Sequence, residues 1–202
     1  SFISGTNIQS QESYDSQIDV LGSTLSTQNG ALSSNKIALA DYGTLSDAKA
    51  AIVSKLNEGH LFTTYYGHGA EGQWGQSGTF EGADVDALTN TALPIVLALN
   101  CNNSNYISTD KTDLTVGEKF IFNENGGAIA FWGSTSQTSP ISGLNLATSF
   151  FSDVASKTNN VYVDQRLGDI TLQAKALQGD YAHTNDSVKS WTLFGDPALK
   201  MP

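Results

Sequence analysis

The chain is short of the residues that staple a fold, cross a bilayer or grip phosphate. Among 202 residues there is one cysteine, Cys101, so no intrachain disulfide can form and pairing gives no clue to redox compartment. No apolar run approaches the ~20 residues that a membrane span requires. Lysine and arginine number 10 against 20 acids, a formal net charge of -10. No basic cluster is available to neutralise phosphates, which argues against a nucleic-acid or anionic-membrane surface and suits a cationic partner better.

Metal-binding spacing is missing as well. His68, Glu71 and Cys101 are too sparse for a zinc site. Asp84, Asp86, Asp110 and Asp113 lack the DxDxDG order of a calcium loop and read as solvated acids. No metal or cofactor is predicted, with calcium left open. Internal repeats, heptads and low-complexity tracts are also absent and no linker divides the chain, so residues 1–202 read as one domain. A domain of this length buries roughly 70% of its unfolded surface and needs no staples. Ser1 opens directly on FISGT without a basic n-region, as expected of an excised or mature domain. The plentiful Ser, Thr, Asn and Gln beside few Lys and Arg fit a secreted bacterial protein.

Two apolar runs organise what is there. LFTTYYGHGAEGQWG carries His68 and LPIVLALNCNNSN carries Cys101; each is rich in β-branched or aromatic residues and bounded by Gly, Pro or Asn, the pattern of a buried strand. Between them Val85 and Leu88, after the acidic start Glu81 and Asp84, predict a helix. Strand, helix, strand implies two parallel neighbours whose carboxyl ends share one edge, where open α/β sheets place their sites.

The remaining elements follow in order. Residues 2–6 suggest a first strand, 7–13 a polar loop, and Ile18, Leu21 and Leu25 a helix from Tyr14 to about Thr27. Lys36 to Tyr42 predicts a strand, and Thr44 with Asp47 caps a helix that Gly59 ends. The run NNSNYISTDKTD reads as a long exposed loop. Helices are expected over 114–122, 144–154 and 167–177, and strands over 128–132 and from Trp191, with a turn at Gly195. The fold class is therefore α/β, a three-layer sandwich around a mostly parallel sheet of about six strands. Trp74, Trp132 and Trp191 read as packing residues, and His60 and His183 as solvated ones.

The chemistry at the shared edge has two readings. A thiol attacks an acyl carbon only as thiolate, and a neighbouring imidazole can take its proton and return it to a leaving amine. His68 and Cys101 suit those roles, with the amides of Gly69 and Cys101 facing the developing oxyanion. Alternatively, Gly-His-Gly is only a tight turn and Cys101 only the last buried residue of a strand.

The segments NEGHLFTTYYGHGAEGQWG, LTNTALPIVLALNCNNSN, GGAIAFWGSTSQTSP and WTLFGDPAL, in that order, resemble the gingipain family of cysteine peptidases, secreted bacterial enzymes with a caspase-like fold. The resemblance implies His68 as general acid/base, Cys101 as nucleophile, and Gly69 and Cys101 as the oxyanion hole. It further implies Tyr66, Gly67, Asp15, Leu99, Asn100 and Gln137 as substrate-binding positions. A polypeptide substrate, hydrolysis through a thioester, a secreted or cell-surface location and further domains of the same precursor are expected with it. Two departures are visible: Asn7 stands where arginine-specific members carry an acid, and the loop after Trp132 looks shorter. A basic residue before the scissile bond would suit Asp15 and the net acidity. A non-catalytic caspase-like binding module and a sorting transpeptidase with the same dyad are the alternatives.

Overall fold

The computed structural model describes residues 1–7, 12–28, 33–109, 112–156, 165–178 and 188–201. Its centre is a six-stranded sheet formed by β1 (Phe2–Ser4), β4 (Lys36–Ala38), β5 (Phe62–Tyr66), β9 (Ile95–Leu99), β10 (Ala130–Ser134) and β11 (Trp191–Gly195). Their spatial order is β11-β10-β9-β5-β1-β4. The five strands from β10 to β4 pair in parallel, and β11 closes the far edge antiparallel to β10. The expected parallel, adjacent strands around His68 and Cys101 are β5 and β9.

A parallel strand covered on both faces reads as a continuous apolar run, because alternate side chains enter two different cores. In β9, Ile95, Leu97 and Leu99 join a cluster with α1 (Asp15–Gln28), α5 (Pro140–Ser156) and α6 (Leu167–Ala176). Val96 and Ala98 join another, with α2 (Leu45–Asn57), α3 (Gly82–Asp86) and α4 (Val116–Phe122). The result is three layers, helix, sheet and helix. Trp74, Trp132 and Trp191 are all buried to 1% exposure or less.

Caps and turns stand largely where the side chains predict. Thr44 accepts from the Asp47 N–H at the head of α2, and Thr115 with Glu118 forms a reciprocal capping box on α4. Helix α5 begins at Pro140, four residues earlier than its apolar spacing suggests, since proline already has a first-turn φ and no N–H to orphan.

Several expectations are corrected. Residues 69–81 are not a simple approach to a helix: β6 (Gly69–Ala70), β7 (Gln73–Trp74) and β8 (Phe80–Glu81) form a small antiparallel sheet, and α3 is only five residues long. The segment read as a polar loop after β1 carries a short hairpin, β2 (Thr6–Asn7) with β3 (Glu12–Ser13). The run after Cys101 is not wholly exposed, because Asn103 and Ser104 are completely buried. His60 is half-buried with its Nε2 sealed from solvent, so it is not a solvated surface residue. Asp84 is largely covered and pairs with Lys49 at 2.9 Å, so it is not a solvated acid, while Asp86 and Asp113 are exposed as expected and pair with Lys119 at 2.6 and 3.1 Å. His183 and Asp110 lie outside the described residues. Among the described residues no helix is long and apolar enough to cross a membrane.

Candidate active site

The ladder between β5 and β9 decides which side chains meet beyond the strands. Tyr66 pairs with Leu99 at the carboxyl end, and the Gly67 N–H still reaches the Leu99 carbonyl at 3.5 Å. His68 lies two residues past Tyr66 and Cys101 two residues past Leu99, so they leave the sheet abreast. They also leave it toward the same layer, since side chains two apart share a face. Tyr66 and Leu99 both belong to the core under α1 and α5.

A cavity of about 250 Å³ opens there, lined by Gly67, His68, Gly69, Leu99, Asn100, Cys101, Asn102, Gln137, Thr138 and Pro140. Of the positions singled out from sequence, Gly67, His68, Gly69, Leu99, Asn100, Cys101 and Gln137 come together on it. Tyr66 and Asp15 are not in that lining. Tyr66 is buried to 3% beneath it, because its β5 position turns it into the core. Asp15 opens α1, where its carboxylate accepts a hydrogen bond from the Ser4 hydroxyl.

Cys101 is half-buried and reduced. Its sulfur accepts from the Thr138 N–H at 3.5 Å and lies 3.7 Å from the Thr138 carbonyl, just ahead of α5. The chain then turns at Asn102, whose φ of 62° is left-handed, a conformation asparagine tolerates better than most residues. The turn is pinned from β10 and its loop: the Asn102 N–H donates to the Ser136 carbonyl at 3.1 Å and the Ser104 N–H to the Ser134 carbonyl at 3.0 Å.

His68 is exposed at the other wall. Its carbonyl accepts from the Tyr65 hydroxyl at 2.7 Å and the Gly75 N–H at 2.8 Å. Burial pushes the Tyr65 phenol far above its ordinary range, so it remains a donor throughout neutral pH. The imidazole Nε2 lies 3.1 Å from the Tyr14 hydroxyl, and the two rings meet edge-on with centroids 5.8 Å apart.

The two walls are tied together by amides. Asn100 Nδ2 donates to Asn103 Oδ1 at 2.8 Å, and Asn103 Nδ2 donates to the Ala70 carbonyl and, at 3.2 Å, to the Gln73 carbonyl. Asn105 Nδ2 reaches Glu71 Oε1 at 2.6 Å, and the Val116 N–H reaches the Glu71 carbonyl at 2.8 Å. The His68 and Cys101 loops are therefore one hydrogen-bonded unit.

The hairpin also leaves an amide over. Because the Gly75 N–H bonds the His68 carbonyl, Gly69 and Trp74 form a non-hydrogen-bonded pair, and the ladder does not use the Gly69 N–H. Sequence reasoning missed Tyr14, Tyr65, Asn103 and Thr138. The placement of Asn103 had one available signal, an asparagine-rich run directly after a buried strand; the others depend on contacts between distant segments.

Residues 2–202 match the model of peptidase family C25, while no curated protein matches the chain. The complex of Porphyromonas gingivalis RgpB pro- and mature domains aligns at 21% identity with a TM-score of 0.79, over 98% of this chain and 47% of that one. The Arg-specific cysteine proteinase gingipain R (RGPB) gives 22% and 0.79, over 98% and 46%. A further protease structure gives 17% and 0.59, over 73% and 36%. The chain thus spans less than half the length of these solved chains, and at such identities the likeness is one of fold. The family match runs across the whole sheet and both loops of the cavity, and on that basis the chain belongs to peptidase family C25.

Proposed function

We propose that this chain is a cysteine endopeptidase in which Cys101 is the nucleophile and His68 the general acid/base. The observation that carries the reading is the β5–β9 register, which brings an imidazole and a thiol abreast over one cavity. Family membership supports the reaction class.

The steps follow from the groups present. The Cys101 thiol gives its proton to the His68 imidazole, and the sulfur attacks the scissile carbonyl carbon. The carbonyl electron pair moves to oxygen, where the N–H groups of Gly69 and Cys101 receive it. Collapse breaks the C–N bond, and the imidazolium proton passes to the departing amine. A thioester remains. Water then loses a proton to His68 and attacks the acyl carbon; the C–S bond breaks and the acid leaves with the thiol restored.

Gly67, Leu99, Asn100 and Gln137 line the cavity and would contact the substrate, with Tyr66 forming its support from below. The formal net charge of -10 supports a preference for a basic residue before the scissile bond, while Asp15, outside the cavity lining and bonded to Ser4, adds no support to it. The longer solved relatives, one of them a complex of pro- and mature domains, support a multidomain precursor, and family membership supports a secreted or cell-surface location.

The test is cleavage of a peptide library with alkylation of Cys101 by iodoacetamide. Expected are cleavage products lost in Cys101→Ala, an acyl-enzyme visible by mass spectrometry, and alkylation faster than that of a free thiol. Stable peptide binding with no acyl-enzyme would mean a binding module instead. Capture of the acyl group by an added amine in preference to water would mean a transpeptidase.

A further inference from the structure

We infer that Tyr14 is a positioning residue for His68: its hydroxyl oxygen accepts from the Nε2–H and so fixes Nδ1 as the nitrogen that exchanges the proton with Cys101. The inference rests on the peptidase reading for its catalytic meaning, while the tautomer itself can be measured without it.

The Tyr14 ring cannot easily move. It is 2% exposed and packs edge-on against Tyr66 with centroids 4.8 Å apart and planes at 72°. Its hydroxyl thereby stands at a fixed point 3.1 Å from Nε2. On the histidine side the backbone is held by the Tyr65 hydroxyl and the Gly75 N–H at the carbonyl. With both ends anchored, the contact with Tyr14 restrains the rotation of the ring about its side-chain bonds.

Proton accounting selects the direction of the bond. A neutral imidazole carries one N–H, and an imidazolium carries two. During the reaction the ring must pass through the imidazolium, in which Nε2 is a donor and Tyr14 can only accept. If Tyr14 donated to Nε2 in the resting state, the ring proton would sit on Nδ1, and Nδ1 could not take the thiol proton. The tautomer with hydrogen on Nε2 lets one hydrogen bond persist through every step, with no turning of the phenol and no displacement of the ring.

The test has two independent readouts. In the folded wild-type chain labelled with ¹⁵N-histidine, the neutral His68 signal, assigned by its loss in His68→Ala, is expected to show hydrogen on Nε2. Tyr14→Phe keeps the ring and its packing but removes the acceptor; it is expected to let the Nδ1–H tautomer appear. Its kcat is expected to fall on the order of 10-fold with KM little changed, a part of the 10²–10⁴-fold that acid–base catalysis commonly supplies. Hydrogen on Nδ1 in the wild type would overturn the inference, as would a Phe variant with unchanged tautomer and unchanged kcat. Should Tyr14→Phe misfold, the wild-type tautomer alone decides. Absence of peptide cleavage by wild type would sink the peptidase reading and leave the tautomer result to stand or fall separately.

Discussion

A methyl group has no room at Gly69. A Cβ there would lie 1.9 Å from Asn100 Nδ2 and 2.8 Å from its Cγ, so Gly69→Ala is expected to push Asn100 aside and turn the Gly69 N–H away from the cavity. Misaiming one oxyanion donor costs on the order of 10²-fold in rate, and kcat/KM measured beside Tm would show a loss of activity out of proportion to the loss of stability. Cys101→Ala is the converse case. The thiol is half-buried and its removal disturbs little packing, so Tm should stay nearly constant while cleavage vanishes. Both residues were legible in sequence, Cys101 because it ends an apolar run and Gly69 because it flanks the histidine that ends the other. Tyr14 was not, since a tyrosine at a helix start carries no sign of which distant ring it will meet.

Among the elements, the joint between the two loops of the site is the most sensitive. Asn103 is fully buried and serves Asn100, Ala70 and Gln73 at once. Asn103→Ala orphans the buried Asn100 donor and takes the side-chain donor from the Ala70 and Gln73 carbonyls, and a loss on the order of 1–3 kcal/mol is expected in urea denaturation. Activity should fall with it, because the loops lose their common register. A second test concerns the small sheet and α3. Glu81 has its carboxylate held below the ordinary range by the Gly78 N–H, with further help from the Ser77 hydroxyl and Lys49. A lowered folded value means that the unfolded chain binds the proton more readily. The stabilisation is therefore present above pH 4.5 and lost as pH falls through the lowered value. Urea titrations of wild type and Glu81→Gln are expected to differ at pH 7 and converge in acid; a gap that persists in acid would contradict this.

The same elements show what a sequence can carry. Strand β9 is a five-residue apolar run, β5 a β-branched and aromatic one, and α2 announces itself through Thr44 and Asp47; β10 was legible as a strand but lies two residues beyond the expected 128–132. The three-stranded sheet of residues 69–81 escaped because two-residue strands are too short to alternate. Asn103 and Ser104 look like loop residues; Asn103 is bonded to the His68 hairpin and Ser104 to β10, contacts between segments some thirty residues apart.

Across the whole molecule, a ladder of rings joins the small sheet to the main core. Tyr65 stacks on Trp74 at 4.9 Å, and Trp74 stacks in turn on Phe80 at 4.7 Å and on Phe120 at 5.6 Å. Trp74→Ala should cost roughly 3–5 kcal/mol, as large-to-small changes at buried aromatics do. It should also loosen Tyr65, which holds the His68 carbonyl, so kcat is expected to drop even at temperatures where the variant is folded. The layered α/β architecture was legible from the alternation of strands and helices, whereas the strand order, with β11 reversed at the edge, emerged only in three dimensions.

The parallel alignment of β5 with β9 has one more consequence. Side chains along a strand keep a two-beat rhythm, so the site depends on phase. Deleting one residue between Ile95 and Leu99 should swing the sulfur to the opposite side of the sheet and silence it. Removing a second should restore the beat and return the thiol to the histidine's side, though one step further back along the strand.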